Sequence, residues 1–375
     1  MNASQTLFLY GTLRHLPLLT IVAGRPVDPR PARLPGHAVF TVDGADYPII
    51  RSAPGEVAEG LILTCDDEMR ARLDFYEAGF GYELREVTAE TDAGPERVFV
   101  YFAVSDGMRP GPRWSLAAWA RDWSPLALIA AHESMDRFGD WDAAGLARRW
   151  PPMRARAWSR LLAANPAPAT LRTDPAPGAV EVRGVTRRHT GFFALDELEL
   201  DHATFAGGRS GPIRREAFVG MDAALVLPYD PATDRVLVVE QVRTGPIRRG
   251  DPRPWTLEPV AGLVDAGEAP EDTARREAME EAGLVFRHLE PVLKGYPSPG
   301  ATTEFYHCFV GLCALDDSHA GGPGGLGHEA EDIRAHVLDR ARAMDLVSTG
   351  EVNVIPLAML LLWVGANRHR LAALP

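Results

Sequence analysis

Between Gly262 and Gly283 the sequence reads GLVDAGEAPEDTARREAMEEAG and sets Glu268, Arg276, Glu277, Glu280 and Glu281 at fixed intervals. Glu277 and Glu281 are four residues apart, so on a helix both carboxylates leave from one side, with Glu280 beside them. Like charges at that spacing cost a helix roughly a few tenths of a kcal/mol per pair unless something positive intervenes. A solvated acidic face is the ordinary meaning of a Glu-rich helix. Here, however, the pattern extends beyond the acidic cluster to Gly262, Glu268 and Arg276. Carboxylate oxygens so arranged suit a hard divalent cation, Mg²⁺ or Mn²⁺, which would neutralise them.

The helix that must carry these groups is bounded by its own sequence. Pro270 suits a first helical turn, and Glu271 and Asp272 then face the positive end of the helix dipole. Gly283 is placed to cap the C-terminus in the left-handed conformation. Ala274, Ala278 and Ala282 recur every four residues and predict a small apolar stripe for close packing.

A chain of 375 residues is too long for one ordinary core and predicts two or three domains. With 46% hydrophobic and 24% charged residues the composition is that of a soluble globular protein. The net charge of −12 repels phosphate backbones and argues against nucleic acid as a partner. Cys65, Cys308 and Cys313 form no C-x-x-C pair and read as reduced intracellular thiols. The N-terminus lacks a basic region followed by a long apolar one, so no signal peptide is expected. The longest apolar run, Ile355 to Ala366, is shorter than the ~20 residues that span a bilayer. It reads as a buried C-terminal helix. A cytoplasmic protein without a membrane partner is expected.

Residues 6–105 alternate short apolar strands (LFLY, AVFTV, YPII, EGLILT, RVFVYFAV) with turns, and DDEMRARLDFYE interrupts them as a helix. Residues 109–164 read as a helical extension rich in tryptophan: Trp114, Trp119, Trp123, Trp141, Trp150 and Trp158. Those rings need a core to pack in, and the first domain is the expected one. The stretch NPAPATLRTDPAPG (165–178) predicts an extended, semi-rigid linker. Strands resume from Val180 (ALVLPY, RVLVVEQVR), and a terminal helix from about Asn353 closes the chain. The expected domains are therefore 1–108 and 179–375, joined by the extension and the linker.

The Gly262–Leu284 stretch resembles the Nudix box, the metal-binding loop–helix–loop of hydrolases that split nucleoside diphosphates linked to another group. All seven fixed positions match. The resemblance implies an α/β/α sandwich, with Glu277, Glu281 and the backbone carbonyl of Ala261 as Mg²⁺ ligands and Glu280 close by. Glu268 and Arg276 are expected to form an ion pair that braces the loop.

The likeness extends over about residues 180–375. Gly191-Phe192-Phe193, Arg214-Arg215-Glu216, Glu240-Gln241-Val242-Arg243 and Glu258-Pro259-Val260-Ala261-Gly262 are similar to the ADP-ribose pyrophosphatase subfamily. So are Pro299, sixteen residues beyond Gly283, and the run from Gly325 to Arg334. A pyrophosphate needs cationic partners, and Arg215 and Arg243 are candidates. Phe192 could cover an adenine, and Glu304 could accept from a ribose. Glu329, in a glycine-rich loop, is the expected base that activates water. Glu331 is the runner-up or a further metal ligand. In the subfamily N-terminal strands are exchanged between two subunits, which implies a homodimer with Phe192 and Arg215 serving the partner's site. The products would be AMP and ribose 5-phosphate. Hydrolysis of another nucleoside diphosphate sugar, or ADP-ribose sensing without turnover, are the competing readings.

In the first domain Tyr10-Gly11-Thr12-Leu13 follows a strand, and LDFYEAGFGYELREV lies farther on. Together they resemble the γ-glutamylcyclotransferase-like family, over roughly residues 6–105. This implies a mixed β-barrel whose Tyr10–Leu13 loop holds the substrate and whose Glu77 moves a proton. That family usually has glycine after the glutamate, where this chain has Ala78. The two-domain layout is similar to bacterial proteins labelled as tellurite-resistance proteins, a label that specifies no chemistry. The expected fold class is a multi-domain α+β and α/β/α chain.

Overall fold

The computed structural model describes residues 5–104, 107–165, 167–173, 175–321, 323–324 and 332–374. The chain divides into two compact units, Met1–Asn165 and Pro166–Pro375.

The first unit opens with β1 (Gln5–Leu9), α1 (Leu16–Ala23), β2 (Arg30–Val42) and β3 (Pro48–Cys65). It continues with α2 (Asp67–Glu77), β4 (Tyr82–Thr91), β5 (Gly94–Ala103) and β6 (Pro110–Arg113). Three helices complete it: α3 (Leu116–Asp122), α4 (Ser124–Met135) and α5 (Ala143–Leu162). The strand order is β3-β1-β5-β4-β2-β6, and β3 also pairs with β2, which curls the sheet into a barrel. The segments YPII and EGLILT, expected as two strands, are one strand of 18 residues. The Pro54-Gly55 turn signal between them is absorbed as an irregularity. Gly36 (φ 69°) and Gly55 (φ 84°) both take the left-handed conformation close to the β2–β3 register shift between Pro35 and His37.

The tryptophan-rich helices share the core of this sheet. Trp119, Ala131, Leu146 and Met153 pack in one cluster with Leu7, Leu9, Leu18 and Leu73. Trp114, Trp123, Trp141 and Trp150 lie against the same cluster. Asp142 caps α5 by accepting from the Gly145 amide (2.6 Å), and Asp66 caps α2 by accepting from the Met69 amide (2.9 Å).

The second unit begins with the antiparallel sheet β7 (Val180–Thr190), β8 (Ala194–His202) and β9 (Ile213–Val219). Then come β10 (Asp222–Asp230), β11 (Arg235–Val242), α6 (Thr244–Arg249), β12 (Trp255–Glu258) and β13 (Val260–Leu263). α7 (Pro270–Ala282), β14 (His288–Gly295), β15 (Phe305–Leu312) and β16 (Pro323–Gly324) follow. β17 (Ile333–Asp339), α8 (Arg340–Thr349) and α9 (Ile355–Ala372) close the chain. The main sheet runs β14-β15-β10-β11-β17-β16, with β12 on β11 and β13 on β10. Leu225 and Leu227 of β10 and Val310 of β15 form one cluster with Leu357, Leu360, Leu361 and Val364 of α9. All four α9 side chains are fully buried, each stabilising the unit by about 1.5–3 kcal/mol as an upper estimate. α7 packs on β13 and β10, and strand alternation assigns it the opposite face. The layers are α/β/α.

Residues 167–173 and 175–178 contain no helix or strand. Cys65, Cys308 and Cys313 are free and buried. Burial pushes their thiols up, to about 11 for Cys65 and Cys308 and about 12 for Cys313, so none is a ready nucleophile. Among the described residues no helix is long and apolar enough to cross a membrane.

Candidate active site

α7 starts at Pro270, carries Glu271 and Asp272 in its first turn and ends on Gly283 at φ 64°. Ala274 and Ala278 are fully buried against the sheet, which fixes the rotation of the helix about its axis. That rotation turns Glu281 inward, where it is 4% exposed. It also sets Glu277 against β13. A Cβ at Gly262 would stand 1.8 Å from Glu277 Oε1, so only glycine leaves room for that carboxylate. Gly262 and Ala261 face Ala224 and Leu225 across the β13–β10 pairing, which holds this strand in place under the helix.

Arg276 sits amid the carboxylates. Its Nε is 3.0 Å from Glu268 Oε1 and its Nη2 3.1 Å from Glu268 Oε2, the bracing pair expected from the sequence. Its Nη1 lies 2.7 Å from Glu277 Oε1 and 3.0 Å from Glu280 Oε2. The hydrogen bond to Glu268 leads in raising the guanidinium above its ordinary pKa, with the charge of Glu277 adding. Burial pushes the Glu268 carboxyl up, but hydrogen bonds from Arg276 and Thr273 outweigh it and hold the group below its usual range. The positive charge that relieves the acidic helix is therefore partly the chain's own.

Glu277, Glu280 and Glu281 offer oxygen donors only, and the space at Gly262 admits the first of them. That chemistry fits a hard divalent cation. Among the described residues no three His, Cys, Asp or Glu side chains already converge as a metal cluster. Glu329 and Glu331 lie outside the described residues.

Around this centre the strands bring in further groups. Arg243 follows β11, and its Nε and Nη2 meet Glu258 Oε1 and Oε2 at 2.9 and 2.7 Å. Glu258 is 8% exposed and also accepts from the Thr256 hydroxyl at 2.6 Å. This clamp aims the half-exposed Arg243 side chain. Glu304 immediately precedes β15, and burial pushes its carboxyl up. Burial, then the charges of Glu304 and Glu258, push Tyr306 up to about 12. Phe192 packs edge-on against Phe193 at 4.9 Å, and Phe193 contacts Phe218 at 5.0 Å. The Phe218 amide donates to the Ala301 carbonyl at 2.8 Å, joining this aromatic group to the loop that leads to Glu304. Arg215 lies opposite Leu198 within the β8–β9 pairing and donates to the Arg214 carbonyl at 2.7 Å. Among the described contacts none joins Arg215 to α7. Sequence reasoning gave no role to Glu258 or Tyr306. The Arg243–Glu258 pair spans 15 residues and leaves no periodic signal.

The first unit holds a separate cavity of about 350 Å³. Tyr10, Gly11, Thr12, Leu13 and Glu77, paired by motif alone in the sequence, all line it. A Cβ at Gly11 would stand 2.7 Å from Pro48 Cγ, so the loop needs glycine for close approach. Burial raises the Glu77 carboxyl to about 7. Tyr10, Tyr76, Tyr82 and Tyr101 are all pushed above their ordinary value, chiefly by burial, with the charge of Glu77 adding.

Comparison with known proteins finds a family for each unit. The family model "Gamma-glutamyl cyclotransferase, AIG2-like" matches residues 7–123, and the model "NUDIX domain" matches residues 220–356. An ADP-ribose pyrophosphatase of Escherichia coli (strain K12) is 40% identical over 206 residues, 54% of this chain and 97% of that protein. The ADP-ribose pyrophosphatase of Haemophilus influenzae is 38% identical over 194 residues, 51% of this chain and 88% of the relative. A GDP-mannose pyrophosphatase of Escherichia coli O1:K1 / APEC is 32% identical over 161 residues, 43% of this chain and 82% of that protein. The acidic helix, the glycine that admits Glu277 and these relatives lead to one conclusion: the chain belongs to the Nudix family and is a hydrolase of pyrophosphate bonds, with an AIG2-like γ-glutamyl cyclotransferase domain in front.

Proposed function

We propose that this chain hydrolyses ADP-ribose to AMP and ribose 5-phosphate in the presence of Mg²⁺ or Mn²⁺. The observation that carries the reading is Glu277 seated in the space at Gly262, with Glu281 buried on the same helix. The two ADP-ribose pyrophosphatase relatives, at 40% and 38% identity, support this substrate over GDP-mannose, whose relative stands at 32%.

Glu277, Glu281 and the Ala261 carbonyl would hold the cation, with Glu280 close by. When bound, the ion neutralises pyrophosphate oxygens and makes a coordinated water more acidic. Arg276 and Glu268 hold the loop and helix in register. Arg243, kept in one orientation by Glu258, donates to phosphate oxygens, and Arg215 does so from β9. Glu304 accepts from a ribose hydroxyl, and the half-exposed Phe192 covers the adenine. Glu329 takes the proton from the attacking water, with Glu331 as the alternative base or a further metal ligand. One phosphorus–oxygen bond forms from water while the bridging bond to the other phosphate breaks, which balances the reaction.

The active form in this reading is a homodimer, in the cytoplasm. Val180, Val182 and Val185 are exposed along β7, where they pair with His202, Leu200 and Leu198 on one face of the sheet, and such an apolar strip suits a second copy of the same chain.

The test is turnover of a panel containing ADP-ribose, ADP-glucose and GDP-mannose, with and without Mg²⁺, by wild type and Glu281→Gln. ADP-ribose should be the preferred substrate, and the variant should lose about 10²-fold or more while staying folded. Preference for GDP-mannose, or near-normal turnover by the variant at saturating metal, would overturn the reading.

A further inference from the structure

Two buried nitrogen donors of the first unit, Arg14 Nε and Trp114 Nε1, meet no hydrogen-bond acceptor among the described residues. Both belong to the surroundings of one ring. His15, next to Arg14, packs edge-on against Trp119 at 5.8 Å, and Trp114 packs against the same ring at 6.2 Å. Both side chains leave from backbone that is tied down. The Arg14 amide donates to the Gly11 carbonyl at 3.1 Å and closes the single 3₁₀ turn Thr12–Arg14. The Trp114 amide donates to the Val39 carbonyl of β2 at 3.1 Å, and α3, which begins at Leu116, packs on that turn. Trp119 lines the cavity, but Arg14, His15 and Trp114 are not among its lining residues.

A buried N–H without an acceptor is costly, and more so on a charged group. Arg14 cannot relieve its position by shedding the proton. Burial pushes its guanidinium below the ordinary value, and the charge of Glu59 offsets that in part. The Glu59 carboxylate meets Arg33 at 3.6 Å, and among the described ion pairs none involves Arg14. Other arginines of this unit are matched. Arg154, which lines the cavity, meets Asp46 with Nη1–Oδ1 at 2.7 Å and Nη2–Oδ2 at 3.0 Å. Arg113, beside Trp114, is paired with Glu56. A guanidinium and an indole N–H are donors only, so what completes them is an acceptor, and the fixed positive charge favours a negative one. Water would satisfy an N–H but leave the charge uncompensated.

We propose that Arg14 and Trp114 form a binding site for a small oxyanion, a phosphate or carboxylate group that accepts from the guanidinium and from the indole N–H. The half-buried Arg14 side chain keeps the site open to solvent. The site belongs to the first unit and depends neither on the chemistry of the Glu77 cavity nor on the ADP-ribose reading.

The indole N–H resonances of the eight tryptophans, in the ¹⁵N-labelled full chain without divalent metal, test it. The Trp114 signal is the one lost in Trp114→Phe. Inorganic phosphate or acetate should move it saturably, with half the change reached below about 10 mM. KCl at matched ionic strength should leave it in place. Saturation by either anion supports the site, and the tighter of the two names the group. Arg14→Met should weaken the response at least roughly tenfold, with the signals other than those of Trp114 and Trp119 unmoved as the sign of a folded variant. Arg14→Lys, the milder change, should fall between the two. Arg243→Met, in the second unit, should bind as wild type does. The proposal is overturned if neither anion moves the Trp114 signal, which is the behaviour of a site that holds water alone. It is equally overturned if KCl moves the signal as far, if both Arg14 variants respond like wild type, or if the response disappears in Arg243→Met instead.

Discussion

Glu277 occupies the space that a side chain at Gly262 would fill, with its Oε1 1.8 Å from where a Cβ would stand. The two residues are held by different elements, β13 and α7, so neither can yield without moving the other. Gly262→Ala should therefore displace the carboxylate by about an ångström and lower kcat for pyrophosphate hydrolysis by about 10²-fold. The thermal unfolding of the second unit should change little by comparison. Unchanged turnover would show that the seat of Glu277 is irrelevant to the reaction.

Arg276 joins Glu268, Glu277 and Glu280 through one guanidinium. Arg276→Ala leaves three carboxylates facing each other in a partly buried site. Urea unfolding of the second unit should show a loss of about 1–3 kcal/mol. Glu271→Gln, in the exposed first turn of the same helix, should cost no more than about 0.5 kcal/mol. Equal small effects for both would mean that the network is mere surface pairing.

Burial raises Glu77 from its ordinary 4.5 to about 7. In that interval the folded chain holds a proton that the unfolded chain has released. Stability of the first unit therefore falls as pH rises through the interval, and the penalty is fully present above it. Glu77→Gln removes the titration. The variant should gain about 1–3 kcal/mol relative to wild type between pH 5 and pH 8, allowing for the solvent that reaches the cavity. Parallel stability curves for the two proteins would place an unperturbed carboxyl there. The groups that face Glu77 electrostatically, Tyr10, Tyr76, Tyr82 and Tyr101, stay protonated over this range because all are raised.

Glu329 and Glu331 lie outside the described residues, so their roles rest on sequence alone. If Glu329 is the base, Glu329→Gln should lower kcat by ~10²–10⁴-fold with little change in KM. Glu331→Gln is the control in the same loop. A larger loss at Glu331 would exchange the two assignments, and no loss at either would move attention to Glu280.

What short-range geometry dictates is legible in the chain before it folds. Pro270, Gly283 and the alanines of α7 define a helix of known ends and known face, and the i, i+4 spacing puts Glu277 beside Glu281 on it. Tyr10–Leu13 and Glu77 could be assigned to one site by motif, because each piece is local. Long-range packing decided the rest. Whether Pro54-Gly55 ends a strand was settled by the β2–β3 register, which carries the chain through the turn signal as a bend. That Arg276 neutralises the acids, that Glu258 aims Arg243 and that Gly262 makes room for Glu277 depend on contacts between residues that have no periodic relation. The cavity of the first unit is the clearest case. Arg154 reaches Asp46 across 108 positions, and only folding brings those two side chains out of water and against each other, while Glu77 has no ion-pair partner among the described residues.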